Sequence, residues 1–132
     1  MTKNHFPAAE GQTIQVAPGL RRRVGAYDDN LMCVEVHFDT GTVAPLHHHP
    51  HEQITYVVSG RFEFTVGDRT HVVGPGDSLY KQPGIVHGAT CLQAGTLIDM
   101  FTPPPRGLRL IAARKHGAHR RPTENPGERH EA

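Results

Sequence analysis

Apolar residues along this chain come in runs of about four to eight, broken at short intervals by Gly, Pro, Asp or Asn. That rhythm belongs to a many-stranded all-β fold, in which short strands alternate with frequent turns. Strands are expected near residues 13–16, 20–26, 31–39, 43–49, 53–59, 61–66, 69–74, 78–82, 86–92 and 96–102. Gly60 within VVSGRFEF and Gly67-Asp68 within FTVGDRTHVV both read as tight hairpins, with glycine supplying a positive φ. Pro75-Gly76-Asp77 and Pro83-Gly84 mark two further turns. No stretch carries a helical period of apolar residues over more than about ten positions. The expected architecture is an antiparallel sandwich or barrel.

A length of 132 residues suits one domain. The ends differ from the middle, so residues 1–11 are expected to form an extension, residues 12–112 the β-barrel, and residues 113–132 a polar tail. The tail has almost no apolar residue larger than alanine and cannot by itself offset the entropy of ordering. It reads as a solvated segment, or as a basic arm for an acidic partner. A barrel of this size closes without disulfide or metal staples, so any metal ion would serve function rather than folding.

Formal net charge is +1, and no dense Lys/Arg face with interleaved aromatics occurs in the middle of the chain. Nucleic acid is therefore not an expected partner. Cys33 and Cys91 are the only cysteines, each in an apolar stretch, which suits a reducing compartment. The N-terminus lacks an apolar signal core, and no run of about 18 apolar residues exists. A cytoplasmic protein without a membrane partner is expected.

The chemistry concentrates in Gly41 to Gly60. On an extended strand, residues two apart share a face, so His47 and His49 project together and His48 projects away. After a turn at Pro50, Gln53 begins the next strand and can return to the same face. Two imidazoles and an amide oxygen then converge. Imidazole suits zinc, nickel, copper and iron, and an oxygen ligand extends the set to manganese. Taken alone, histidines around a proline also fit a polar surface turn.

A second segment, Gly76 to His87, ends in a histidine just after a turn and between apolar neighbours. With both segments in view the chain resembles the cupin superfamily. Its first motif, G-x5-H-x-H-x3-E-x6-G, is matched in spacing by Gly41, His47, His49, position 53 and Gly60, with Gln53 where glutamate is usual. Its second, G-x5-P-x-G-x2-H-x3-N, is matched by Gly76, Gly84 and His87; Gln82 replaces the proline and Cys91 the asparagine. The resemblance implies a single-domain cupin barrel, a double-stranded β-helix or jelly roll. It also implies one divalent ion (Ni, Zn, Mn or Fe) held by His47, His49, Gln53 and His87. His48, His51 and Glu52 read as solvent-facing or supporting groups, and His37 and His71 as ordinary strand residues.

Glutamine at position 53 has a consequence of its own. An amide leaves the full charge of the ion in place, where a carboxylate would cancel part of it, and so favours Lewis-acid chemistry. It also departs from the two-histidine, one-carboxylate face of oxygen-activating iron sites. The plainer alternative is a glutamine that tolerates a metal ion without catalytic purpose.

Within the cupins, the chain is most similar to the KdgF family, small cupins that linearise unsaturated uronates in pectin and alginate breakdown. The similar stretches are 29–38, 47–60 and 97–106, and the likeness spans roughly residues 20–110. In that family an Asp-x-Phe pair and a following arginine line the pocket, which implies catalytic roles for Asp99, Phe101 and Arg106. Three prolines before Arg106 depart from the pattern and put the position of its guanidinium in doubt.

The residues themselves are compatible with these roles. Asp99 and Phe101 lie two apart on one strand face. Facing inward, Asp99 would be a carboxylate in an apolar barrel, a candidate acid or base; it would equally serve as an ion pair with Arg106 or Lys81. Phe101 would equally be core, and Arg106 a surface residue. The resemblance implies a small acidic sugar as substrate and a homodimer as the assembly. Other small-cupin chemistry (lyase, isomerase or dioxygenase) and a non-catalytic metal- or ligand-binding module remain the alternatives.

Overall fold

The computed structural model describes the backbone of residues 2–116 and the side chains of residues 2–113; residues 117–132 of the expected tail lie outside the described residues. Eight strands run β1 Thr13–Ala17, β2 Leu20–Tyr27, β3 Met32–Phe38, β4 Val43–His47, β5 Glu52–Val66, β6 Arg69–Val73, β7 Ser78–Lys81 and β8 His87–Thr102. A 3-10 turn at Ala8–Glu10 precedes them, and a helix, α1 Arg106–His116, follows.

All strand pairings are antiparallel, in the order β1-β2-β3-β8-β5-β6, with β4 on β8 and β7 on β5. The two long strands, β5 and β8, pair with each other along almost their whole length and belong to both faces of a barrel. The first half of β5 lies between β7 and the second half of β8, with β3, β2 and β1 beyond. The second half of β5 lies between β6 and the first half of β8, with β4 beyond. Inward positions alternate as a half-buried strand requires. Met32, Val34, Val36 and Phe38 from one sheet meet Phe62, Phe64, Ala89 and Cys91 from the other. Phe38 and Phe62 touch edge to face, with ring centroids 5.2 Å apart.

Two expectations are corrected. Gly60 does not close a hairpin. It sits inside β5, at φ +85°, where the β5–β8 register shifts. The inward positions run Gln53, Thr55, Val57 and then Phe62, Phe64; the odd step between Val57 and Phe62 is the mark of a bulge, which bends a strand without ending it. The expected strands on either side of Gly60 are therefore one strand, and so are the last two, merged in β8. Gly67-Asp68 does form the hairpin between β5 and β6.

The second correction is α1, which starts beside Pro104 and Pro105, both buried. It crosses position 113, where the tail was expected to begin. Among the described residues of this helix, only Leu108 and Ile111 are apolar side chains packed on the core, too few to show a period in the sequence. Arg109 ties α1 to the β2–β3 turn through Asp29, at 2.6 Å.

Candidate metal centre

His47 is the last residue of β4 and pairs across the ladder with His87, the first residue of β8. Their ring centroids lie 4.4 Å apart. His49 follows β4 in the connecting turn rather than extending the strand, yet its ring stands 5.7 Å from that of His47 and 4.8 Å from that of His87. Candidate ligand atoms of the three imidazoles all lie within 4.8 Å of one another. Gln53, on β5, points its Oε1 to within 3.0 Å of His49 Nε2. Two ligands at about 2.1 Å from one ion and at right angles to each other would stand about 3 Å apart, so this spacing suits a shared ion.

The hydrogen bonds around the rings decide which nitrogens are offered. His47 Nδ1 donates to the carbonyl of Pro45 at 2.8 Å, and His87 Nδ1 to that of Ile85 at 3.0 Å. Each ring thus keeps its proton on Nδ1 and presents a lone pair at Nε2. Both Nε2 atoms are buried without a hydrogen-bond partner. A buried polar atom left unpaired is costly; a cation bound by both would remove the cost. Burial also favours the neutral, ligating state. It pushes His49 below its ordinary value against the opposing hydrogen bond to Gln53, and drives His87 down to about 3, helped by the nearby charge of Lys81. The donor set therefore fits a divalent ion of the imidazole-binding kind.

Behind Gln53 lies a buried polar chain. Thr55 Oγ1 accepts from Gln53 Nε2 at 3.3 Å and from Lys81 Nζ at 2.8 Å, and donates to Asp99 Oδ1 at 2.6 Å. Thr55 and Asp99 are ladder partners, as are Gln53 and Lys81. Thr55, Lys81 and Asp99 are all buried. Burial lowers the Lys81 ammonium, and the carboxylate of Asp99 opposes that shift. His47, Gln53, Lys81, His87 and Asp99 all line one cavity of about 440 Å³.

Comparison with known proteins gives the family and the fold. The pectin degradation protein KdgF of Dickeya dadantii (strain 3937) is 34% identical over 103 residues, covering 76% of this chain and 94% of that protein. This chain belongs to the KdgF family of cupins. A cupin-domain family profile matches residues 34–98 of it. The structure of KdgF from Halomonas sp. superposes with a TM-score of 0.77 at 35% identity, covering 81% of this chain and 99% of that one. An RmlC-like cupin from Shewanella frigidimarina NCIMB 400 does so at 0.77 and 32% identity, covering 81% and 96%. The all-β cupin barrel that the resemblance implied is thus the fold observed.

Within this KdgF-family barrel, the structure brings together His47, His49, Gln53, His87 and Asp99. Phe101 is fully buried and packs behind the rings of His49 and His51, at 6.0 and 6.4 Å, rather than among the cavity-lining residues. Arg106 is exposed at the first turn of α1 and does not line the cavity. His48 is exposed, whereas His51 is buried against His49, at 5.1 Å. Thr55, Lys81 and Arg22 line or support the site; Thr55 and Arg22 were not singled out in the sequence, and Lys81 was named there only as an ion-pair partner for Asp99. Their signal is the alternation itself: Thr55 keeps phase with Gln53 and Val57, Lys81 with Leu79, and Arg22 with Leu20 and Val24.

Among the described residues no helix is long and apolar enough to cross a membrane.

Proposed function

We propose that this chain is a metal-dependent enzyme that opens the ring of a small 4,5-unsaturated uronate and delivers its linear keto form. The observation that carries this reading is the buried Asp99 carboxylate lining the same cavity as His47, His87 and Gln53, with His49 clustered against those two imidazoles. The likeness to a pectin degradation protein supplies the substrate class.

His47, His49, Gln53 and His87 would hold the ion. When bound, it would supply positive charge where negative charge develops on the substrate oxygens. Asp99 moves the proton. It takes the proton of the anomeric hydroxyl as the bond between C1 and the ring oxygen breaks. C1 becomes an aldehyde, and the electron pair stays on the former ring oxygen as an enolate. Asp99 then returns the proton to C4, which gives the ketone and leaves the overall composition unchanged. Thr55 holds Asp99 by Oδ1, so the second carboxylate oxygen is the proton carrier. The apolar walls from Val36, Phe38 and Leu97 limit water around the enolate.

An unsaturated uronate has a double bond conjugated with its carboxylate and absorbs in the near ultraviolet; the keto product does not. Metal-loaded protein should speed the loss of that absorbance, and chelation should abolish the acceleration. Asp99→Asn should slow turnover about 100-fold or more, within the range of a general acid–base contribution, with metal content unchanged. No acceleration with unsaturated galacturonate or its epimers would end the uronate assignment.

The reading extends to setting and assembly. Cys33 and Cys91 are unpaired thiols, which supports a cytoplasmic location. The outer face of β5 and β7 exposes Ile54, Tyr56, Val58 and Tyr80, with Ile54 and Tyr80 paired across the ladder. This apolar outer row supports a homodimer.

A further inference from the structure

Three arginines in succession, Arg21, Arg22 and Arg23, occupy β2. Strand alternation separates them. Arg21 and Arg23 reach Asp39 at 3.3 Å and Glu35 at 2.9 Å in partly exposed ion pairs. Arg22 points the other way. It is 9% exposed, sits between Ile14 on β1 and Val36 on β3, and lines the cavity that His47, Gln53 and His87 share. Its Nε has no hydrogen-bond partner.

An arginine held this way costs several kcal/mol unless something anionic completes it. Two cations, Arg22 and Lys81, and one carboxylate, Asp99, line this cavity. Lys81 is already committed, donating a hydrogen bond to Thr55 and resting 4.6 Å over the Phe64 ring. Burial lowers the Arg22 guanidinium, and only the charge of Asp99 counters it. The wall is therefore one positive charge in excess before any ion binds, and its open donor belongs to a planar fork that matches a carboxylate.

We infer that Arg22 grips the carboxylate of the substrate and makes the barrel selective for carboxylates over neutral sugars. This rests on the uronate reading for the identity of the substrate, though not for the anion site itself. The cavity runs from the wall of Val16, Leu20 and Arg22 to the histidine cluster, so a molecule held by its carboxylate at Arg22 extends toward the ligands.

The test uses metal-loaded full-length protein and two readouts. Titration calorimetry with galacturonate, galacturonamide and galactose measures recognition of the carboxylate without turnover. Wild type should favour galacturonate over both neutral sugars by about tenfold or more, and Arg22→Met should lose that preference. Arg21→Met, on the outer face, should keep it. Steady-state kinetics with unsaturated galacturonate should show KM raised about tenfold or more in Arg22→Met, with a smaller change in kcat, because the contact exists before and during reaction. Arg22→Met should melt no lower than wild type, since it removes an uncompensated buried charge. Arg22→Lys, which keeps charge without the fork, should fall between the two in affinity, and decides the matter if the methionine variant fails to fold. Wild-type preference for galacturonate in Arg22→Met, or its loss in Arg106→Ala alone, would overturn the assignment. If galacturonate binds through Arg22 but no unsaturated uronate is turned over, the proposed function falls and the carboxylate site stands. Turnover with an unaltered KM in Arg22→Met gives the reverse.

Discussion

The hydroxyl of Thr55 has two lone pairs and one proton, and the site uses all three. The hydroxyl accepts hydrogen bonds from Gln53 Nε2 and Lys81 Nζ and donates one to Asp99 Oδ1. Because Thr55 can only accept from Gln53, the amide must turn its nitrogen inward and its oxygen toward His49. Thr55→Val would leave an amide, an ammonium and a carboxylate without their buried partner. We expect it to destabilise the protein by about 2–3 kcal/mol, read as a fall in the urea unfolding midpoint. Gln53→Glu has no N–H to offer Thr55. It should keep or tighten metal binding by elemental analysis while slowing turnover; faster turnover would contradict the role given to the amide. His47→Ala, His49→Ala and His87→Ala should each lose most of the metal ion and keep the β circular-dichroism signature, and full occupancy in two of the three would exclude the ligand set. The candidate ligands were legible because three of the four, His47, His49 and Gln53, fall within seven consecutive residues. Arg22 was not: charged residues in a strand are mostly solvated, and only its cross-strand neighbours Ile14 and Val36 set it apart from Arg21 and Arg23.

The imidazole of His87 also sets a pH dependence. In the unfolded chain it takes a proton near pH 6.5, whereas the folded protein holds it neutral down to about 3. Between those values the unfolded state binds more protons, so stability is full above about pH 6.5 and declines as pH falls toward 3. Chelated protein should lose about 1–2 kcal/mol between pH 7.5 and 5 from this residue. His87→Gln should flatten that part of the urea-midpoint profile; an unchanged slope would show that another group carries it.

At the scale of elements, the bend shared by β5 and β8 decides whether two sheets can face each other. Gly60 and Gly95 cross there in close contact. A Cβ on Gly95 would stand 2.0 Å from the Ser59 carbonyl oxygen, and one on Gly60 would stand 2.5 Å from that of Gln93. Both obstacles are backbone, which has nowhere to move without parting the strands. Gly95→Ala should therefore cost more than about 2 kcal/mol in urea unfolding, although it lies far from the site. Most strand positions were legible from alternation and turn residues. The bend was not, because a glycine between two apolar runs looks the same in a hairpin and in a bulge; only the odd step from Val57 to Phe62 separates them. The helix α1 escaped for a different reason, since the barrel needs just Leu108 and Ile111 from it.

For the whole molecule, closure of the barrel leaves one side of the β5–β7 surface apolar. Light scattering after gel filtration should report a dimer, and Ile54→Lys should shift it to a monomer with the barrel intact; a monomeric wild type would leave that row for another partner. The jelly-roll class came with the cupin resemblance that the two motifs carry, whereas the pairing of sheets through two continuous strands became visible only in the register. That register gives the candidate ligands one more property. His47 and His87 belong to one sheet and Gln53 to the other, so an ion held by all of them would tie the two together at the rim where β4 ends. Without it, that rim is held by a short strand whose pairing with β8 is already interrupted between Ala44 and His47, and local opening there should come more easily. A cell short of the metal would then hold not an idle enzyme but one with an exposed nick site, cleared by proteases faster than its loaded twin, so that the abundance of the protein would follow the supply of its ion.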